Sequence, residues 1–287
     1  MSQVTADAAD TIKNNDATRS ARASDAPTWL VVLAKSGYAA RGVIYLIIGS
    51  LALLKAFGEG GQSAGSKDAI SKLLEAPGGQ ILLWLMALGL VGYSVWRFVQ
   101  AVMDTDDHGT DGKGLAVRAG LLVSALTHVG LAIYAASIAI GSGSSSGSGG
   151  GKETLVAKIM AWPGGQWIVG LIGLCIIGAG IAHAVKAHKE KYEKRFVIEP
   201  SKMKKLEPIC KFGLYARSVV FGIIGSMFIY AAISQDPDDA GGLKEVLDTL
   251  SQQAFGTILL AVIAAGLFAF GCYRGFQAIY RKIDSPD

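Results

Sequence analysis

The sequence predicts an all-α membrane protein: six transmembrane helices as three parallel helix-pair repeats with pseudo-threefold symmetry, plus short amphipathic interfacial helices on the outer side. Three observations predict it. Hydrophobic residues make up 51% of the 287-residue chain and charged residues 17%, with a mean hydropathy of +0.39, which is not the balance of a soluble domain. Six apolar runs approach or exceed the ~20 residues that a helix needs to cross the hydrocarbon core, and they lack the alternation of barrel strands. One unit of sequence also recurs three times.

The first unit opens with Gly37-Tyr38-Ala39-Ala40-Arg41, passes Ile47-Ile48-Gly49-Ser50 and the corner Pro77-Gly78-Gly79-Gln80, and closes on Arg97 and Gln100. The second reads Gly114 to Arg118, Pro163-Gly164-Gly165-Gln166, then His183 and Lys186. The third reads Gly213 to Arg217, Ile223-Ile224-Gly225-Ser226, Gly256, then Arg274 and Gln277. In this register the second copy needs about one extra turn near His128 to bring Gly130 level with Gly49 and Gly225.

Taken in order, residues 1–27 are polar, without apolar period, and are expected to form a disordered cytoplasmic tail. Repeat 1 covers 28–106, with spans near 38–57 and 81–103; Thr28 is its expected N-cap, and Trp29 to Lys35 an interfacial turn before the span. Repeat 2 covers 107–196, with spans near 115–140 and 167–185. Repeat 3 covers 197–283, with spans near 213–234 and 255–279, and residues 284–287 are a tail. Each unit has a short outer segment with apolar residues at helical spacing: Ile70, Leu73 and Leu74; Val156, Ile159 and Met160; Val246, Leu247 and Leu250. Pro-Gly corners end the first two, and the third, with Gln252-Gln253-Ala254-Phe255-Gly256 instead, is expected to be looser.

Of the 27 Lys and Arg residues, 21 fall on the side that holds both termini. The positive-inside rule makes that side cytoplasmic, and an even number of crossings per unit makes the repeats parallel. The Gly-Ser run from Gly141 to Lys152 reads as a flexible linker, since Glu153 and Ser146 break the phosphate-loop pattern. Cys175, Cys210 and Cys272 form neither a disulfide framework nor a metal motif and read as small buried hydrophobes. The net charge of +4 gathers beside the membrane, so no nucleic-acid partner is expected.

Candidate site residues fall into two sets near the cytoplasmic ends: Arg41, Arg118 and Arg217 on the odd spans, and Arg97, His183 and Arg274 on the even ones. Gln100, Lys186 and Gln277 follow three residues later on the same face, and His128 is a further intramembrane candidate. Such cations either snorkel and anchor the helices or bind anions, as lipid headgroups or soluble solutes. For His128 the plain alternative is a hydrogen bond to Ser124 or Thr127 across an irregular turn. No Asp, Glu or Pro lies inside any predicted span, which disfavours a carboxylate-based proton carrier. Small residues such as Gly89 and Gly92, Gly170 and Gly173, Gly178 and Gly180, and the pair Gly271 and Gly275 favour close helix packing. No catalytic constellation, cofactor motif or metal set is legible.

These tandem helix pairs, with GxxxR at one end and Arg or His near the other, resemble a bacterial membrane family catalogued as domain of unknown function 1206, over nearly all of the chain from Lys35 to Arg281. The resemblance implies a six-helix inner-membrane protein and no established activity; the charge count places both termini in the cytoplasm. The expected function is a non-enzymatic structural or interaction module with basic cytoplasmic-side sites for anionic lipid or a partner protein. The alternative is a channel or carrier for a small solute, an anion among the candidates, along the pseudo-threefold axis. The charge count predicts that a reporter active only in the cytoplasm will work when fused after Asp287 and fall silent when inserted at Gln62; the opposite pattern would invert the topology.

Overall fold

The computed structural model describes residues 26–106, 108–141 and 150–283, with the side chains of 150–154 excepted. The two expected tails up to Asp25 and from Asp284, and most of the Gly-Ser linker, lie outside these residues. The helices are α1 Thr28–Ala56, α2 Ser66–Lys72, α3 Gly79–Met103, α4 Gly112–Ala139, α5 Gly150–Met160, α6 Gly165–His188, α7 Pro200–Ser234, α8 Leu243–Ser251 and α9 Gly256–Tyr280. Six of them (α1, α3, α4, α6, α7 and α9) are long and apolar enough to cross a membrane, and the chain is a multi-pass membrane protein.

Helix α1 begins at Thr28 as expected, with Pro27 rather than Thr28 in the cap position, and is continuous because Leu30 and Ala34 are buried with Tyr38, Tyr93 and Trp96. Other features differ from expectation. Helix α7 starts at Pro200, so Pro208 lies within a 35-residue helix, in a polar first part where Lys211 pairs with Glu190 at 2.6 Å and Glu207 at 2.5 Å. The third corner is no looser than the others: Phe255 takes the left-handed conformation (φ 60°) that Gly78 (71°) and Gly164 (77°) take, at a steric cost of about 1 kcal/mol for a side chain. The short helices seat Ile70, Val156, Val246 and Leu247 against the long ones, where all four are buried.

The six long helices pack in the order α4, α3, α1, α9, α7, α6. Helices α3 with α4, α9 with α1, and α6 with α7 form the broad interfaces, and each joins one repeat to another. The three crossings use equivalent positions. A Cβ on Gly271 would lie 3.0 Å from the Gly42 carbonyl; a Cβ on Gly180 would lie 3.0 Å from that of Ser218; and at the third crossing Ser94 Oγ donates to the Ala125 carbonyl over 3.0 Å. Three residues further along, Tyr45 meets Phe270 edge-on at 4.9 Å and His128 meets Tyr93 at 4.7 Å, while Phe221 approaches Gly180.

This geometry corrects the register read from sequence. Gly120, not Gly114, is the counterpart of Gly37 and Gly213, Ser124 stands where Arg41 and Arg217 stand, and His128 occupies the position of Tyr45 and Phe221. Ala132 then matches Gly49 and Gly225, and no extra turn is needed. The GxxxR spelling at Gly114 misled because a short motif carries no depth information, whereas the crossings fix depth by contact.

Within repeats 1 and 3 the two helices also touch. Gly37 lies so close to Tyr93, and Gly213 to Phe270, that an added Cβ would sit 2.5 Å from the facing residue. One turn on, Ala40 fills the space over Gly89 and Ala216 that over Gly266. Repeat 2 has Val123 in place of the alanine and Cys175 in place of the glycine, both exposed, and Gly120 and Gly178 have nothing within 4 Å. Two larger side chains stand where one methyl separates the backbones elsewhere, and among the described residues α4 and α6 form no packed interface. A seam is left between them.

Without a hydrophobic drive between helices in lipid, such close contacts carry the assembly. Gly225→Leu, which forces a side chain against Gly173 and Ile177, should lower stability by about 1–3 kcal/mol, whereas Gly120→Leu should leave it unchanged or raised; thermal unfolding in detergent checks both.

Candidate functional site: a buried guanidinium cluster

Arg41 lies about 20 Å along α1 from Thr28, at ~1.5 Å per residue. It is buried, as are Arg217 and Arg274. What surrounds them is aromatic. Arg41 donates to Tyr93 Oη, which also accepts from Arg97 Nε at 2.7 Å. The Arg217 guanidinium stacks over Phe221 at 4.1 Å and Tyr45 at 4.7 Å, and that of Arg274 over Phe270 at 4.8 Å. Tyr45 and Tyr93 stand one helical turn from Arg41 and Arg97 on the same face, which is why these pairs meet.

Towards the end of the bundle that carries the termini, Arg97 and Arg274 each donate to the glutamine three residues on, Gln100 at 3.0 Å and Gln277 at 2.8 Å. Gln100 passes the chain to Asp106 at 2.8 Å, where Arg195 closes an ion pair at 2.5 Å and Arg281 one at 3.3 Å. Burial would raise the Asp106 pKa, but Arg281, Arg195 and Arg97 outweigh it and hold the carboxyl below the usual aspartate range. Among the described residues Asp106 is the carboxylate paired with this group. The buried Nε atoms of Arg217 and Arg274 have no hydrogen-bond partner.

Five of the six primary candidates, Arg41, Arg97, Arg217, Arg274 and His183, come together with Gln100, Gln277 and Lys186. Lys186 lies over the Tyr273 ring at 5.7 Å, and His183 meets Phe221 at 5.6 Å and Phe270 at 6.0 Å. Arg118 does not join them. Its Nε and Nη2 donate to the Ala101 and Val102 carbonyls at 2.7 and 2.9 Å, capping the C-terminus of α3 where a cation suits the helix dipole. His128 donates from Nδ1 to the Ser124 carbonyl at 2.6 Å and packs on Tyr93, a regular-helix contact. Sequence reasoning missed Asp106, Arg195, Arg281 and the tyrosines. The spacing of Tyr45 and Tyr93 from the arginines could have found those two; nothing in the sequence pairs residues as distant as Asp106 and Arg281.

Arg41, Arg97, Arg217 and Arg274 stack on the same group of aromatic rings, and Arg217 and Arg274 each keep an unpartnered Nε, an arrangement that suits a tetrahedral oxyanion. No group of His, Cys, Asp and Glu among the described residues could hold a metal ion.

Three segments, 36–104, 119–190 and 212–281, match the family described as Domain of Unknown Function (DUF1206). The second segment begins one residue before Gly120, as the others begin one residue before Gly37 and Gly213, the register that the crossings give. The chain is also similar to the "Uncharacterized protein YxxB" of Bacillus subtilis (strain 168), 33% identical over 261 residues, 89% of this chain and 92% of that protein. No solved structure matches.

Asp106→Asn removes the anion that Arg195 and Arg281 share and should cost about 3 kcal/mol, the scale for breaking a buried pair. Because the folded pKa of Asp106 is depressed, its contribution is fully present above the unfolded value of ~3.9 and is lost as pH falls through the folded value. The melting-temperature gap between wild type and variant should therefore close below about pH 4.

Proposed function

The chain belongs to the family described as Domain of Unknown Function (DUF1206), and we propose that it is a non-enzymatic protein of the bacterial inner membrane that binds a phosphate-like anion within its helix bundle. The surplus of buried guanidinium carries the reading. Moving one such ion from water to a low-dielectric interior costs several kcal/mol even after relaxation. Stacking on a desolvated ring returns only ~2 kcal/mol, and the Nε atoms of Arg217 and Arg274 stay unsatisfied. Four clustered arginines, two of them with an unpartnered Nε, are best explained by an anion that completes these hydrogen bonds.

Equivalent contacts at the three crossings support a pseudo-threefold arrangement of the repeats, with the short helices in the outer membrane interface. The distribution of Lys and Arg supports cytoplasmic termini. On the other side of the cluster the core is apolar, with Ile48, Leu83, Leu90 and Leu260 buried. That plug favours a binding site over a conduit; a carrier for a small anion would have to open it.

The test is thermal unfolding in neutral detergent with glycerol 1-phosphate or phosphatidylglycerol. A ligand held at 100 times its Kd adds ~2.7 kcal/mol, so a rise of several degrees is expected with at least one of them, and none in Arg217→Leu or Arg274→Leu. No rise with either compound, or an equal rise in the variants, would refute the proposal.

A further inference from the structure

The open seam and the charged cluster belong to one another through repeat 2. Arg41 and Arg217 have Ser124 as their counterpart, Tyr93 and Phe270 have Ala179, and Arg97 and Arg274 have His183. The same repeat carries Val123 and Cys175, both exposed, where the packed helix pairs have alanine and glycine. Repeats 1 and 3 therefore supply the guanidinium groups, and repeat 2 supplies a side wall that is small, uncharged at Ser124 and Ala179, and unsealed.

His183 joins the two features. It sits on α6, at the edge of the seam, against the same Phe221 and Phe270 rings that carry Arg217 and Arg274. Those two arginines, 9% and 5% exposed, carry the unpartnered Nε atoms. A ligand reaching them from the bilayer would pass Gly120 and Gly178, which face open space. Such a ligand needs an anionic head for the arginines and an apolar remainder for a path lined by Val123, Cys175 and glycine.

We infer that the seam between α4 and α6 admits an anionic phospholipid from the bilayer, its phosphate held by Arg217 and Arg274 and its acyl chains leaving past Gly120 and Gly178. This rests on the anion-binding reading above and specifies both the ligand and its route. A soluble phosphate fits the cluster equally well but has no use for a lateral opening. A lipid on the outer surface of the bundle needs no buried arginine.

Native mass spectrometry of the full-length protein, with phosphatidylglycerol, phosphatidylcholine and glycerol 1-phosphate as probes, separates these cases. Wild type should retain phosphatidylglycerol at least tenfold better than phosphatidylcholine. Filling the seam with Gly120→Leu and Gly178→Leu together, or with Cys175→Trp, should reduce that retention about tenfold while the response to glycerol 1-phosphate persists; Arg217→Leu should lose both. The substituted positions face open space or are exposed, so folding should be kept, and an unchanged melting temperature verifies it. Equal retention of the two lipids, or phosphatidylglycerol retention that survives the seam-filling variants, overturns the lateral route. If glycerol 1-phosphate still stabilises wild type and not Arg217→Leu, the anion site stands without it. Failure of both phosphate compounds overturns both readings.

Discussion

The structure depends on how closely backbones can approach at helix crossings. Lipid tails are as apolar as the side chains that would face them, so association inside a membrane is decided by packing and by the few hydrogen bonds that close contact allows. Gly42 against Gly271, Ser218 against Gly180 and Ala125 against Ser94 provide that contact between repeats. The short helices add a second tier, with Lys55 bound to Asp248 at 2.7 Å and Ser71 to Tyr134 at 2.9 Å across repeats. In repeat 2, where Val123 and Cys175 replace the small residues, the two helices form no packed interface among the described residues.

Close packing also explains how so much charge is tolerated. The bundle offers tyrosine and phenylalanine faces to the guanidinium planes, which take cation–π stabilisation without competing for N–H donors. At the end that carries the termini, Asp106 gathers Arg195 and Arg281 and is linked through Gln100 to Arg97. Further in, carboxylates give way to aromatics. The gradient from paired to unpaired arginine runs toward the site we assign to an anion, so the cluster is anchored at one end and left receptive at the other.

Much of this was legible in the sequence. The apolar runs gave all six long helices, the threefold recurrence gave the pairing of units, and repeated Arg97, His183 and Arg274 pointed to a common depth. What misled was local spelling. Gly114 to Arg118 matches the GxxxR of the other copies but lies six residues too early, and Arg118 proves to be a helix cap. The span predicted near 213–234 is part of a longer helix, because Pro200 is compatible with a first turn and Pro208 falls in a polar stretch stabilised by the Lys211 ion pairs. The Phe255 corner looked irregular for want of a Pro-Gly pair, yet the chain accepts a strained residue there to keep the same turn.

By itself the sequence determined the class of fold, since hydrophobic length fixes what can span a bilayer, and it determined which residue types recur at which depth. Only the tertiary structure decided which recurring positions meet. Register depends on contacts between residues such as Gly173 and Gly225, or Tyr45 and Phe270, that are far apart in the chain and small or generic in type. The difference between a closed pair of helices and an open seam coincides with Val123 and Cys175 standing where the closed pairs have alanine and glycine, and it appears only once the neighbouring backbones are placed.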